Sequence, residues 1–297
     1  MKKAVGIFVS LLMVVFLQPA SANTANSIVI IDTAVNTSLP ELKDRVVHEV
    51  CMVQTGTCAN GKTYAEGPGA ANLLPTQTYT GGFEHGTVMS LVAAQINPNV
   101  RIVFIRVAGT LSNGSMGSFT DVSVTRALSW VSANKDKYNI VAVSSSFGHT
   151  VYNKTNPYCP IKSTHKELIG HMDSLIARGV AVMFAAGNNR DKLRVNFPAC
   201  IPQAIAVSAI NRFSIDDGWV VSPLVNTGPD TDFYALGSYT TSIKDTGIFG
   251  QTSPATAALA SYWSKVYKGS YPLTYQYLQS ILQKTTNGSN TFVNVLN

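Results

Sequence analysis

The sequence predicts an α/β fold with a mostly parallel, twisted sheet and helices on both faces. Two observations support this prediction: short apolar, β-branched runs recur along the chain, and amphipathic helical segments alternate with them. Continuous apolar runs are typical of strands buried on both faces, as in parallel sheets. Strand–helix alternation favours a doubly wound sheet, in which functional groups collect at the carboxyl ends of the strands.

Five runs are expected to form the buried strands, and each is rich in Ile, Val or Ala. They cover residues 27–31, 101–107, 139–144, 179–185 and 204–209. Asp32 follows the first run directly, and Asn188 lies just past the fourth. We therefore expect both polar residues at the carboxyl edge of the sheet.

Helices are expected between these strands. The predicted segments run from near His85 to about Gln95, from about Thr120 to Asn134, and from about Thr164 to Arg178. Helical spacing within the second segment predicts an inner face made of Val122, Val124, Leu128 and Val131.

The last third of the chain has a different composition. Residues 211–250 are rich in Gly, Pro, Ser, Thr and Asp, with short extended stretches such as 232–236. Two helices are then predicted, over about 253–267 and 273–284, and Pro272 suits the start of the second. No repeat or low-complexity linker interrupts the chain, so we expect one domain after the leader.

The leader itself has the pattern of a secretory signal peptide. Lys2 and Lys3 precede an apolar run over residues 4–17, and a small-x-small site ends at Ala22. A membrane anchor is the alternative, but it needs roughly 20 apolar residues. We expect cleavage after Ala22, which leaves a secreted or periplasmic domain over residues 23–297.

Charge and hydropathy exclude some classes of partner. The formal net charge falls from +6 to +4 when the leader is removed, because the leader holds two lysines and no acid. The remaining Lys and Arg residues are scattered and are not interleaved with aromatics, which argues against nucleic-acid binding. No later stretch is apolar enough to predict membrane contact after signal cleavage.

The chain contains four cysteines, and an even count in an exported protein predicts two disulfides. Three connectivities are possible for Cys51, Cys58, Cys159 and Cys200. Pairing the first two would close a short loop, and pairing the last two would join loops that the predicted fold brings near each other. A zinc site is the alternative, but no Cys-x-x-Cys or close Cys/His pair favours it.

Three polar residues stand in positions that suit nucleophilic catalysis. Asp32 ends a strand, His85 begins a helix beside Gly86, which allows close backbone approach, and Ser253 precedes Pro254 at the start of an Ala-rich helix. Taken singly, each is typical of a loop or a helix cap. Together they fit a requirement of chemistry: a Ser hydroxyl needs a His to take its proton, and that His needs a carboxylate to orient it.

The Asp–His–Ser order and its flanking residues resemble the subtilisin-like serine protease family over nearly the whole mature length. The motifs that match are Val29-Ile30-Ile31-Asp32-Thr33, His85-Gly86-Thr87 and Thr252-Ser253-Pro254-Ala255. The chain departs from the family at Ala34 and Gln251, where Gly is usual, and at Ala257, where Pro is usual. The resemblance implies a subtilisin-like three-layer fold, a polypeptide substrate and a monomer, with Asp32, His85 and Ser253 as the catalytic triad.

The same resemblance implies roles for further residues. Asn188 would supply the side-chain donor of the oxyanion hole, and the backbone N–H of Ser253 would be its partner. The residues implied to bind substrate are Gly117, Ser118, Phe119, Ser146, Phe147, Gly148, Ala185, Ala186, Gly187 and Asn196.

Two further departures concern folding and metal binding. Asp32 lies about ten residues past the predicted cleavage site, so we expect no attached prodomain. Disulfides or a separate folding or inhibitor protein would then replace its help. Calcium, which relatives often bind, needs several oxygen ligands that usually include carboxylates. The segment 96–100 holds no acid, so neither calcium nor another metal or cofactor is predicted.

The predicted function is that of a secreted serine endopeptidase, and two alternatives compete with it. Aligning Ser253 with the Ser that ends the family motif would put the nucleophile position on Gly250 and predict an inactive chain. We favour Ser253 as the nucleophile because Thr252 and Ala255 then stay in register. The second alternative is a non-catalytic binding protein on the same fold. Neither the Gly-x-Ser-x-Gly motif of esterases nor the His-Glu-x-x-His motif of zinc proteases occurs.

Overall fold

Nine strands form one sheet in the computed structural model, which describes residues 25–150, 159–212, 218–245, 250–286 and 288–296. The strands are β1 (Ser27–Asp32), β2 (Val46–Met52), β3 (Tyr64–Glu66), β4 (Arg101–Arg106), β5 (Ile140–Ser145), β6 (Ala181–Ala185), β7 (Ile205–Asn211), β8 (Val220–Val221) and β9 (Phe233–Leu236). A separate two-stranded ribbon consists of β10 (Gln283–Lys284) and β11 (Thr291–Phe292).

The helices of the described residues alternate with these strands. They are α1 (Pro40–Lys43), α2 (His85–Ile96), α3 (Asp121–Asn134), α4 (Lys166–Ala177), α5 (Thr252–Val266) and α6 (Tyr271–Ser280). A short 3₁₀ turn at Ser163–His165 leads into α4.

The sheet runs in the order β3-β2-β4-β1-β5-β6-β7, and both β8 and β9 pair with β7. Within the described part of this nine-stranded sheet, six strand pairs are parallel and two, β2–β3 and β7–β8, are antiparallel. The first strand lies at the centre, between β4 and β5, so its carboxyl end opens at the middle of one edge of the sheet.

Helices cover both faces of the sheet. Because side chains alternate along a strand, Ile28 and Ile30 pack with α2 and α5 on one face, while Val29 and Ile31 pack with α3 and α4 on the other. Complete burial of one such side chain stabilises the fold by about 1.5–3 kcal/mol. The predicted α/β class and the five predicted strands are confirmed.

Strand β2 was not predicted from the sequence. Most of β2 is buried, but His48 and Glu49 interrupt its apolar pattern. The His48 ring stacks on Trp130 and Tyr138, with centroids 5.6 and 4.7 Å away. The Glu49 carboxylate accepts hydrogen bonds from the N–H groups of Gly69 and Ala71. Because they have these partners, the two polar side chains can lie inside the fold. There they interrupt the apolar pattern by which a buried strand is predicted.

Two details of the predicted helices were wrong. Val122 is 47% exposed, whereas Val124, Leu128 and Val131 of the predicted inner face are completely buried. The last helix ends at Ser280, since Gln283–Lys284 pairs with β11 instead.

Two disulfides are present, Cys51–Cys58 and Cys159–Cys200. They select one of the three possible connectivities and confirm the disulfide prediction. Within the first loop, Gly56 has a φ of +73°, and a Cβ there would lie 2.6 Å from the carbonyl oxygen of Thr110. Only glycine fits that turn without displacing a backbone atom.

The predicted signal peptide lies outside the described residues and stays a prediction. None of the described helices combines the length and apolar character needed to cross a bilayer.

Candidate active site

The carboxylate of the site stands at the carboxyl end of the central strand. Asp32 is the last residue of β1, and its side chain is only 2% exposed. One of its oxygens, Oδ1, accepts a hydrogen bond of 2.7 Å from the backbone N–H of Thr33. A buried carboxylate is stable only when hydrogen bonds or a cation replace water, so Asp32 requires a partner for its charge.

That partner is His85, the first residue of α2. Its Nδ1 lies 2.8 Å from Asp32 Oδ1. The start of α2 is tied to the segment after β1 because Thr33 Oγ1 accepts from the N–H of Gly86 at 3.1 Å and donates to the carbonyl oxygen of Phe83 at 3.1 Å. The helix start and the strand end are therefore held together independently of the Asp–His pair.

Gly86 makes this approach possible. A Cβ at this position would lie 2.5 Å from Phe104 Cζ and 2.6 Å from the carbonyl oxygen of Ala34. No other residue fits there without a shift of the backbone. The predicted need for close backbone approach beside His85 is confirmed.

The surroundings of His85 set its protonation. Burial disfavours the charged ring, but the negative charge of Asp32 and its hydrogen bond outweigh burial and raise the pKa of His85 above its ordinary value. More distant charges contribute in opposite directions, with Lys244 lowering and Glu84 raising this pKa. Because Nδ1 faces Asp32, Nε2 is the nitrogen left for a second partner.

Ser253 is the second residue of α5 and is 7% exposed. Pro254 follows it at the third helical position, where a backbone N–H would have no partner within the helix, so proline costs nothing there. The Ala residues of α5 are completely buried, which lets the helix pack closely against α2 and the sheet. This packing holds Ser253 on a rigid element.

One cavity connects His85 with the start of α5. It has a volume of about 350 Å³ and is lined by His85 together with Gln251 and Pro254, which flank Ser253. Within the described residues, the Ser253 hydroxyl forms no hydrogen bond with His85. Catalytic hydrogen bonds are often long before substrate binds and tighten in the complex.

Asn188 is attached to the same helix start. Its Oδ1 accepts from the backbone N–H of Thr252 at 3.0 Å and from Thr252 Oγ1 at 3.2 Å. A backbone N–H can only donate, so the contacting atom is the amide oxygen. The Nδ2 group has no partner among the described residues and is available to donate to a bound molecule.

Three predicted substrate-binding residues line a second cavity beside His85. This cavity of about 240 Å³ is bounded by Asp32, His85, Phe119, Ser146 and Phe147. The Phe119 and Phe147 rings lie 5.6 Å apart. The structure thus brings these three residues to the Asp–His pair.

Gly117 and Ser118 lie in the loop that leads to Phe119. The N–H of Gly117 donates to the carbonyl oxygen of Gly109 at 2.8 Å, and Thr55 Oγ1 donates to that of Ser118 at 2.8 Å. These contacts hold the loop against its neighbours.

The remaining predicted residues meet around Gly187. Asn196 donates its N–H to the carbonyl oxygen of Ala186, which follows Ala185 at the end of β6, at 2.8 Å. A Cβ on Gly187 would lie 2.3 Å from Asn196 Nδ2, and one on Gly148 would lie 3.4 Å from Asn196 Cβ. The segments around Gly148 and Gly187 therefore meet at Asn196.

One supporting residue was missed by the sequence analysis. Asn226 Nδ2 donates to Asn196 Oδ1 at 3.1 Å, and Asn226 Oδ1 accepts from the N–H groups of Asn189 and Asp191. Asn226 lies in the Gly- and Pro-rich segment, where no motif or periodicity distinguishes it from an ordinary loop residue. Its completely buried side chain stabilises the loop that carries Asn188.

Comparison with known proteins matches these features to a family. The model of the subtilase family, peptidase S8, matches residues 23–295. The chain belongs to the subtilase family.

The chain is similar to two proteins described as cuticle-degrading serine proteases. It is 26% identical over 261 residues to the one from Orbilia oligospora, covering 84% of this chain and 52% of the relative. For Arthrobotrys oligospora the identity is 25%, with coverages of 84% and 54%. The chain spans about half the length of the curated relatives it matches.

Solved structures confirm the predicted subtilisin-like fold of this subtilase. A cold-adapted subtilisin-like serine proteinase aligns with a TM-score of 0.61 and 21% identity over 92% of this chain and 89% of its own. A protease from Pseudoalteromonas arctica PAMC 21717 gives a TM-score of 0.65 and 15% identity, with coverages of 92% and 88%. At these identities the likeness concerns the fold alone.

The subtilase departs from its family motifs without distortion at three positions. Ala34 and Gln251 replace glycines, but neither has a positive φ, so neither position requires glycine. Gln251 is extended, and its N–H donates to the carbonyl oxygen of Gly237 at 3.0 Å. Ala257, at the usual proline position, lies within the regular α5 helix. The observed backbone accommodates all three residues.

The side chains of the segment 96–100 in this subtilase do not suit a calcium site. Asn97 Oδ1 accepts from the N–H of Asn99, and Asn97 Nδ2 donates to Ser264 Oγ at 3.1 Å. This side chain is therefore engaged within the protein, and the segment 96–100 offers no carboxylate. Among the described residues, no group of three or more His, Cys, Asp or Glu side chains is arranged to hold a metal.

Proposed function

We propose that this subtilase is a secreted serine endopeptidase with Asp32, His85 and Ser253 as its catalytic triad. The observation that supports this most strongly is the 2.8 Å contact between His85 Nδ1 and the buried Asp32, beside the helix start that carries Ser253. A His held in this way has its tautomer fixed and its cationic form stabilised. A purely structural His would not need to face a cavity shared with residues next to a serine.

In the proposed reaction, Ser253 Oγ attacks the carbonyl carbon of the peptide while His85 Nε2 takes the hydroxyl proton. The resulting tetrahedral intermediate collapses when His85 gives that proton to the leaving amine, and the C–N bond breaks. An acyl-enzyme on Ser253 remains. Water then attacks it by the same steps in reverse, and the serine is regenerated.

Asn188 is proposed to stabilise the oxyanion of that intermediate. Its oxygen is bound by Thr252, which leaves the amide N–H₂ free to donate. The backbone N–H of Ser253 lies in the first turn of α5, where such groups have no helical partner. The positive end of the helix adds to the stabilisation of negative charge.

The alternative of a non-catalytic binding protein rests on the departures at Ala34, Gln251 and Ala257. These residues fit the observed backbone without strain, so they give no reason to expect a disabled site. The two disulfides favour an oxidising compartment and so support secretion.

Active-site labelling of the full chain tests the proposal. A fluorophosphonate reacts with an activated serine, so the wild type should be labelled and Ser253→Ala should not. Ser129→Ala removes an exposed hydroxyl on α3 and should be labelled like the wild type. Wild type that is folded by circular dichroism but is not labelled would contradict the enzyme and favour the binding protein.

A further inference from the structure

The cavity between His85 and α5 has features that the proposed reaction does not use. Its floor contains Val88 and Met89, which are 4% and 2% exposed. Charged side chains from two distant parts of the chain, Glu84 and Lys244–Asp245, stand at its rim. At about 350 Å³ it is large enough for a ligand group.

The charges at this rim do not cancel. Lys244 Nζ lies 2.9 Å from Glu84 Oε1, and Glu84 Oε2 accepts from the N–H of Gly82 at 2.9 Å, so this cation is neutralised by an ordered carboxylate. Asp245 is exposed, and none of the described residues forms a hydrogen bond or ion pair with its carboxylate. The sequence of residues 246–249 contains no charged side chain. With His85 neutral, as the proposed reaction requires, the described lining therefore carries a net formal charge of −1 from Glu84, Lys244 and Asp245.

The position of the cavity indicates which part of a substrate would enter it. His85 borders both this cavity and the one lined by Phe119 and Phe147. If the acyl part of a peptide lies along those two rings, the chain beyond the cut bond must continue past His85 into the space bounded by Gln251 and Pro254. The cavity then lies on the leaving-group side.

We propose that this cavity binds the residue that follows the cut bond and prefers Lys or Arg there. The inference rests on the proposed protease function and adds a substrate class to it. Lys and Arg combine an aliphatic stem with a cationic end, so the stem would cover Val88 and Met89 while the cation approaches Asp245. A glutamate at the same substrate position would face an uncompensated carboxylate and be rejected.

Acyl transfer to added amines tests this side of the site separately. The full chain is acylated with a small ester, and argininamide, methioninamide or glutamic acid α-amide then competes with water for the acyl-enzyme. The amine forms a C–N bond to the acyl carbon while the C–O bond to Ser253 breaks, and His85 returns the proton to Ser253 Oγ. Argininamide should trap the acyl-enzyme about threefold to fivefold better than methioninamide, as for an exposed charge pair. Glutamic acid α-amide should be the poorest nucleophile.

Variants of Asp245 test whether its carboxylate causes the preference for argininamide. Asp245→Asn should bring the argininamide-to-methioninamide ratio close to one, and Asp245→Lys should favour glutamic acid α-amide. Asp173→Asn removes the same charge from exposed α4 on the opposite face of the sheet and should keep the wild-type ratio. An unchanged ratio in Asp245→Asn, or a wild type without preference for argininamide, would overturn the inference alone. Failure of the wild type to hydrolyse any ester would overturn the protease proposal as well.

Discussion

Two histidine–aspartate pairs in this molecule share the same nitrogen–oxygen distance but stand in different surroundings. His85 Nδ1 lies 2.8 Å from Asp32 Oδ1, and His149 Nε2 lies 2.8 Å from Asp121 Oδ1. The Asp32 side chain is 2% exposed, whereas that of Asp121 is 26% exposed. Water therefore screens the second carboxylate more strongly than the first.

The second pair ties three segments together. Asp121 begins α3, and its other oxygen lies 3.5 Å from Nε2 of His165. The backbone of His149 exchanges hydrogen bonds with Phe197, and that ring packs against both histidines. These contacts join α3, the segment after β5 and the start of α4.

A His–Asp contact alone therefore does not identify a catalytic group. The first pair combines a carboxylate removed from water with a ring that borders a cavity beside Ser253 and the start of α5. The second pair also lies at a helix start, that of α3, and its contacts hold three segments together. Position relative to Ser253, the proposed nucleophile, distinguishes the two pairs.

The strongest test of this distinction removes each ring in turn. His85→Ala should lower kcat about 10⁶-fold, the loss seen when a subtilisin loses its His or Ser, because no base remains to take the Ser253 proton. His149→Ala should lower kcat by less than about tenfold, because it alters packing only. Steady-state hydrolysis of a peptide substrate measures both, with circular dichroism as the check of folding. Equal losses of kcat in the two variants would contradict the different roles of the two pairs.

Replacing the carboxylates should give a smaller contrast. Asp32→Asn should reduce kcat about 10⁴-fold, because the neutral amide no longer holds the productive tautomer or stabilises the cationic ring. Asp121→Asn should change kcat by less than about threefold and act mainly on KM, since it loosens the segment that carries Phe147 and Gly148. The split between kcat and KM is the decisive measurement, and a kcat defect in Asp121→Asn would contradict a supporting role.

Asn188 belongs to the site around His85 and not to the His149–Asp121 pair. Asn188→Ala should lower kcat about 10²–10³-fold with little change in KM, because the lost donor acts on the oxyanion and not on the bound ground state. Asn99→Ala removes an exposed loop amide elsewhere and should match the wild type. An Asn188→Ala variant with a raised KM and normal kcat would assign the amide to substrate binding instead.

The smallest expected effect is a shift in pH dependence. His85 must be neutral to act as a base, so activity falls as pH drops through its pKa, and a higher pKa moves this acid limb to higher pH. Glu84 raises the pKa of His85 and Lys244 lowers it, so Glu84→Gln should move the limb to lower pH and Lys244→Met to higher pH. The pH profile of kcat/KM checks both directions. Asp121→Asn should leave the limb in place.

Local sequence patterns predicted the central strands and four of the helices. Apolar runs located the five central strands, and helical spacing located α2, α3, α4 and α5 within one or two residues. The Asp–His–Ser order and the resemblance of the motifs around Asp32 and His85 to those of the subtilisin-like family predict this pair, and the two side chains lie 2.8 Å apart. The pattern failed at β2, where the polar His48 and Glu49 are accommodated by aromatic stacking and by backbone donors.

The fold class, the order of the candidate triad and the presence of paired cysteines follow from the sequence alone, because periodicity, short motifs and residue counts are local properties. Which distant side chains meet depends on the tertiary structure. Lys244 and Glu84 pair across 160 positions, and Asn226 supports Asn196 across 30. Such contacts depend on how separate elements pack, and no local pattern records that packing. The charge beside His85 and the support beneath Asn188 therefore became visible only in three dimensions.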